Sequence, residues 1–378
     1  MINIGKPYLK EEEGLVKLCA DIDVNGSVKT LWFGVSHENR DMIAADRADS
    51  FVIVLLFLAE RLGQNIVSEA PVSRKLLYEL RHYVVPVVFG KKFDIIADPS
   101  DLTYAGSEIA TGFSGGVDSM YTVMMHGSDS EYPLTTLCVF NTGVYEGERY
   151  RDTYREALKN AGAFADLYGY KLVGIDSNIR EVLPERYLDV YSFRLAAFAL
   201  LLQKSVRVYL FSSGHRAVEF EMDRHNTATY DLFSIYHLSS ESFSFFLSGC
   251  EITRVGKIQA LCDYAPSKKW LAPCVFSQRV GTKNCGHCKK CIRDMSVLYS
   301  MGRLDEYSAV FDIDDYLRNI SLRMGFVFAN EEPLCHEAAE FIKKSGIAIP
   351  EKSYIFEKQF RTAMQNLKQK KQDTNEDQ

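Results

Sequence analysis

The sequence has no long apolar run. Its longest, Phe51 to Ala59, sits between Asp49 and Glu60 and falls far short of the roughly 20 residues that span a bilayer. No membrane-spanning helix is expected. It also lacks an excess of positive charge, with 44 Lys and Arg against 50 Asp and Glu, a net charge of −6 and a pI of about 5.8. That argues against a nucleic-acid partner, which demands a basic surface, although a local patch keeps RNA open in second rank. The opening Met1-Ile2-Asn3-Ile4-Gly5-Lys6-Pro7 lacks a basic segment followed by an apolar one, so no secretory leader is read there. In that setting nine cysteines point to reduced thiols or a metal site instead of a disulfide framework, and to the cytoplasm. No internal repeat is present. The 378 residues, 47% of them hydrophobic, suffice for one large globular domain with appendages or for two domains.

The segment that carries chemistry is Ser114-Gly115-Gly116-Val117-Asp118-Ser119. An apolar stretch, Ile109 to Phe113, precedes it, and a helix-like run, Met120 to Met125, follows. Strand, glycine turn and helix make a phosphate cradle. Adjacent glycines let the backbone approach a ligand and turn several N–H groups toward it, and the helix N-terminus favours an anion. Ser114 and Ser119 add hydroxyl donors. Asp118 is the odd member, because a carboxylate beside phosphates is repelled unless a cation intervenes, and this suggests Mg²⁺. The loop has no lysine after its glycines, so it is not a Walker loop. The plain alternative is an ordinary glycine-rich βα turn.

With its flanking strand and helix, this hexapeptide resembles the S-G-G-x-D-S signature of the PP-loop ATP pyrophosphatase superfamily. The resemblance implies ATP with its pyrophosphate in the loop and cleavage between the α and β phosphates. It implies an adenylated acceptor oxygen, displaced as AMP by a nitrogen or sulfur nucleophile. Phe113, Ser114, Gly115, Gly116, Val117, Asp118 and Ser119 become expected nucleotide contacts.

Cysteines 274, 285, 288 and 291 fall in the spacing C-x₁₀-C-x₂-C-x₂-C. Two-residue gaps let neighbouring thiolates meet one ion, and four thiolates close a tetrahedral zinc site with a structural role. Iron–sulfur ligation and unligated thiols are the alternatives; a bacterial-ferredoxin run wants a fourth cysteine after three residues and then proline. His287 fits poorly as a replacement ligand. The signature together with a downstream C-G-x-C-x-x-C resembles one PP-loop branch, 7-cyano-7-deazaguanine synthase, which uses ATP and ammonia to make a nitrile from a carboxylate and carries a structural zinc. The resemblance covers roughly residues 106 to 300. It departs in a longer first cysteine gap, in Ser212 to Tyr230 and in the extra residues 1–105. Synthase-like proteins with added domains also occur in bacterial defence systems.

Pyrophosphate leaves more readily when its charge is neutralised, so a cation must come from outside the loop. Thr253-Arg254-Val255-Gly256-Lys257 is the candidate, with a solvent-facing basic pair as the alternative. Arg194, in an apolar helix, reads as a structural ion pair, and His215 as a loop residue that is either a base or simply exposed. Cys138, Cys250 and Cys262 make no reactive pair, which ranks nitrogen transfer above thiolation.

From about 106 the pattern alternates. Strands are expected at Glu108–Thr111, Leu134–Phe140, Lys171–Ile175 and Val206–Phe211, and helices at Asp118–Met125, Gly147–Leu167 and Tyr191–Lys204. This describes an α/β, Rossmann-like open parallel sheet, which the resemblance specifies as PP-loop, adenine-nucleotide-α-hydrolase-like. Ligands bind beyond the strands' C-terminal ends, where Asn141, Ser213 and Gly214 stand. Residues 1–105 are expected as an α+β domain, with strands at Leu15–Cys19 and Thr30–Val35, helices at Ala48–Arg61 and Val72–Tyr83, and a strand at Phe93–Ile96. The expected layout continues with a PP-loop domain over 106–300, a helical segment over 301–367 and a disordered tail over 368–378. The expected function is an AMP-forming ligase that adenylates a carboxylate or carbonyl oxygen of a small, nucleobase-like acceptor and installs nitrogen, using ATP, Mg²⁺ and Zn²⁺. Asp118, Lys257 and Arg254 are its expected catalytic residues. Expected partners are ATP, the acceptor, a protein through residues 1–105 and a second copy as a homodimer, with no membrane. The alternatives are an RNA-modifying PP-loop ligase or thiolase, and a non-catalytic ATP-binding module of a defence system.

Overall fold

The computed structural model describes residues 1–145, 150–274 and 283–376. The chain divides into two compact units. The first comprises Met1–Ser114 and Thr122–Glu251, and the second Gly115–Tyr121 and the chain from Ile252 onward.

The first unit is α/β and is built on an 11-stranded sheet. Its strands are β1 (Ile2–Ile4), β2 (Tyr8–Glu12), β3 (Leu15–Val24), β4 (Ser27–Ser36), β5 (Ile66–Ser68), β6 (Ile95–Ile96), β7 (Glu108–Gly112), β8 (Thr136–Phe140), β9 (Lys171–Ser177), β10 (Val206–Ser212) and β11 (Ser244–Ser248). Strands β9, β8, β7, β10 and β11 lie side by side in that order, every neighbouring pair parallel. In chain order this is 3-2-1-4-5, the first five strands of the Rossmann order. The interior strand β8 is buried at every position, as a parallel strand covered on both faces must be. The helices Tyr150–Tyr168 and Tyr187–Leu200 supply crossovers, since parallel neighbours cannot be joined by a tight turn.

Residues 1–105 extend this sheet and share its compact unit, where the sequence suggested a separate domain. Strand β4 pairs antiparallel with β9 through Gly34 opposite Asp176 and Phe33 opposite Ser177. The Asn178 side chain fastens the join, accepting from Trp32 N at 2.9 Å and donating to Thr30 O at 2.9 Å. Beyond β4 the order runs β3, β1, β5, β6. The β3–β4 hairpin turns on two residues, Asn25 (φ 55°) and Gly26 (φ 86°). Two consecutive left-handed residues give the tight turn that matches strand twist, so both strands run on toward the turn beyond the bounds Leu15–Cys19 and Thr30–Val35 expected for them. The helix Asp49–Leu62 is buried from Asp49 through Leu56 and joins Phe33, Phe193 and Phe198 in the core.

The expected helix Val72–Tyr83 begins later. Val72 and Ser73 pair with Pro99 and Ser100 as a short strand, and Ser73 then caps a helix from Arg74 by accepting from Leu76 N at 3.1 Å. A wider π turn covers Leu80–Val84. Pro86, which has no N–H to donate, follows it. The strand β11 went unread in the sequence.

The second unit is helical among its described residues. Its helices include Arg254–Leu261, Lys289–Ser300, Ile320–Ala329, Pro333–Lys344 and Lys352–Glu376. The last runs on to Glu376, so the tail expected to be disordered from Lys368 is helical over 368–376, while 377–378 lie outside the described residues. No helix among the described residues is long and apolar enough to cross a membrane.

Candidate active site and metal centre

The signature loop turns between β7 and the helix Val117–His126. Gly115 has φ +71°, and a Cβ there would lie 3.2 Å from Ala272 Cβ and 3.3 Å from Trp270 O. Its carbonyl accepts from Ala272 N at 2.7 Å. Both the left-handed backbone and the close approach therefore require glycine. Phe113 stacks on Phe164 with centroids 4.5 Å apart, and Val117 is fully buried. These two side chains belong to packing, so only their backbones are available to a ligand. The Ser119 hydroxyl donates to Gly116 O at 3.1 Å.

Asp118 is where the separated sequence candidates meet. Lys257 Nζ donates to its Oδ1 at 3.0 Å, and Arg254 Nη1 donates to its Oδ2. Both cations are buried, at 2% and 8% exposure, which sets aside a solvent-facing basic pair. Burial alone would raise the Asp118 carboxyl, but Arg254 and then Lys257 outweigh it and hold the group well below the usual carboxylate range. Lys257 Nζ also lies 5.9 Å from the Tyr121 ring centroid.

The helix Arg254–Leu261 presents both cations on one face, three residues apart. Thr253 caps it by accepting from Gly256 N at 3.0 Å. The Glu337 carboxylate accepts from Val255 N at 2.7 Å and Arg254 N at 3.3 Å. Two of this helix's free amides are thus occupied, and its anion-binding capacity rests on side chains. Glu337 lies some 80 residues downstream and has no sequence signal that ties it to the site.

Magnesium fits poorly at Asp118. The ion needs oxygens at about 2.1 Å in octahedral array. Here both carboxylate oxygens already hold cations, which a metal ion bound to the same oxygens would confront at close range.

The four cysteines do converge. The Sγ atoms of Cys274, Cys285, Cys288 and Cys291 all lie within 4.8 Å of one another. Separations are 3.4 Å for Cys288–Cys291, 3.8 Å for Cys274–Cys288 and 3.9 Å for Cys285–Cys291. Four ligands at a zinc–sulfur distance of 2.3 Å stand about 3.8 Å apart in a regular tetrahedron. Gly286 makes the turn at φ +74°, and Cys288 N donates to Cys285 Sγ at 3.3 Å, with Cys291 N to Cys288 Sγ at 3.5 Å. Asn284 ties the loop down by donating to Leu271 O and Val310 O, both at 2.9 Å. The cluster can hold a metal such as zinc. His287 is exposed and stands outside the ligand set.

In the first unit, Asn141 is buried and donates to Asp176 Oδ1 at 2.6 Å, and the Ser213 hydroxyl donates to His215 O at 2.7 Å. Nothing lies within 4 Å of a Cβ placed on Gly214. The topological switch point of the parallel sheet falls between β7 and β10, whose ends lead into Phe113-Ser114 and Ser213-Gly214. Arg194 is a structural cation, buried against Glu185 Oε2 at 3.0 Å and the carbonyls of Leu183 and Thr142. A cavity of about 450 Å³ in this unit is lined by Phe57, Phe89, Glu185, Arg224 and Tyr230 among others, and includes none of the residues singled out in the sequence.

No protein-family model, curated protein or solved structure matches the chain. What the fold and sites define is an α/β protein with a Rossmann-like parallel sheet and a four-cysteine cluster able to bind a metal.

Proposed function

We propose that the protein is an AMP-forming enzyme of the PP-loop type. On this reading it binds ATP, breaks the bond between the α and β phosphates, and installs nitrogen on a small, nucleobase-like acceptor whose carboxylate or carbonyl oxygen it adenylates. One observation carries the reading. Arg254 and Lys257, remote in sequence from the glycine loop, are both buried and both bonded to its Asp118. Taking two cations out of water costs several kcal/mol unless their charge is used.

Gly115, Gly116 and Ser119 cradle the pyrophosphate by backbone and hydroxyl, with Ser114 opening the loop. Arg254 and Lys257 oppose the charge that builds on pyrophosphate as it leaves, which is worth most where the donors are fixed beforehand and water is excluded. Asn141, Ser213 and Gly214 stand at the parallel strands' C-terminal ends, where ligands bind in sheets of this kind. Zinc at the cysteine cluster has a structural part, since four thiolates leave no open position.

Lys257→Gln tests the assignment. It should lower AMP formation about a hundredfold or more while zinc content stays unchanged. AMP formation at the wild-type rate in this variant would refute the assigned role.

A further inference from the structure

The carboxylate of Asp118 raises a question that the pyrophosphate reading leaves open: what cation lies between it and a bound anion. A metal ion is one answer, and the structure supplies another. Oδ1 holds Lys257 at 3.0 Å, and Oδ2 holds Arg254. Asp118 keeps 26% of its side-chain exposure while its two partners are almost fully enclosed. Arg254 Nε is buried with no hydrogen-bond partner, a state that Arg194 Nε shares. A buried unpaired donor on a charged group is costly and marks a place for an acceptor. The backbone amides of Arg254 and Val255 add no donors for such an anion, because the Glu337 carboxylate already accepts from both.

We propose that Asp118 is a positioning residue and not a metal ligand. It holds Arg254 and Lys257 as a preformed pair of cations that engages pyrophosphate directly, so this anion site works without a divalent cation. The inference rests on the pyrophosphate reading above. Its substance is that the protein's own side chains do what a magnesium ion would otherwise do at this carboxylate.

The test is calorimetric titration of the full-length, zinc-loaded protein with sodium pyrophosphate. The buffer is freed of metals by chelating resin, which spares the cysteine-bound ion, and the titration is repeated with millimolar Mg²⁺. Affinity in metal-free buffer should lie within about fivefold of that with Mg²⁺. Arg254→Gln and Asp118→Asn should each weaken metal-free binding about tenfold, the loss of roughly one charge-assisted contact. In parallel, Mn²⁺ uptake followed by electron paramagnetic resonance with pyrophosphate present should be the same for wild type and Asp118→Asn. Pyrophosphate binding that appears only with Mg²⁺, or Mn²⁺ uptake lost in Asp118→Asn, would make Asp118 a metal ligand and overturn the inference while leaving the pyrophosphate reading intact. Metal-free binding that is unchanged or tighter in Asp118→Asn would also overturn the positioning role. No pyrophosphate binding in either buffer would remove the reading itself. The wild-type comparison needs no variant, so a substitution that fails to fold leaves the test in force.

Discussion

Two aspartates, one half-buried and one fully buried, show how the surroundings of a side chain decide its chemistry. Asp118 is surrounded by cations and stays ionised. Asp231, 2% exposed, is pushed well above the usual range by burial, which nearby Ser192 offsets only in part. The two contribute to stability with opposite pH dependence. A carboxyl whose pKa is raised on folding contributes fully below the unfolded value, about 3.9, and that contribution is lost as pH rises. Asp231→Asn should therefore gain stability relative to wild type as pH is raised from 4 to 7.5, by about 1–3 kcal/mol, measured by urea denaturation at both pH values. A constant difference across that range would show that Asp231 keeps an ordinary pKa. Asp118 behaves in the reverse sense: its contribution is present above about pH 4 and falls away only as pH drops toward its lowered folded value. At this scale the sequence was informative where a residue type was chemically out of place, as Asp118 is beside a phosphate cradle. It was silent on Asp231 and Glu337, whose character comes wholly from what packs around them.

Among the elements, the helix Arg254–Leu261 depends on a distant residue. Its eight residues are too few to be stable in isolation, and Glu337 satisfies two of its N-terminal amides. Glu337→Ala should cost about 1–2 kcal/mol, as the loss of an N-cap does, and should speed amide exchange at Val255 without changing zinc content. Unchanged exchange there would show that Thr253 suffices as a cap. The parallel strands β7 to β10 were legible because apolar runs alternate with helical periodicity, and the structure extends each by a residue or two or trims it. Strand β11 was not, because Ser244 to Ser248 has serines at both ends and its identity comes from pairing with β10, Phe245 opposite Tyr209. The short strand at Val72–Ser73 likewise exists through its partner, Pro99–Ser100. Short pairings of this kind leave no local signature.

For the molecule as a whole, composition and motif order conveyed the α/β class and the four-cysteine cluster. They did not convey that the first hundred residues continue the parallel sheet, since that depends on a two-residue antiparallel seam between β4 and β9. The cysteine cluster offers a test at this scale. Purified protein should hold about one equivalent of zinc, and Cys288→Ser or a strong chelator should lower the melting temperature by more than about 5 °C, because binding energy at a closed thiolate site is folding energy. A metal content near zero with unchanged melting would remove zinc from the account. The central claim concerns how ATP is cleaved. It is tested most directly by supplying the protein with ATP and a small-molecule cell extract and identifying the nucleotide product by chromatography. The account predicts AMP with an equal yield of pyrophosphate; ADP with inorganic phosphate would contradict it.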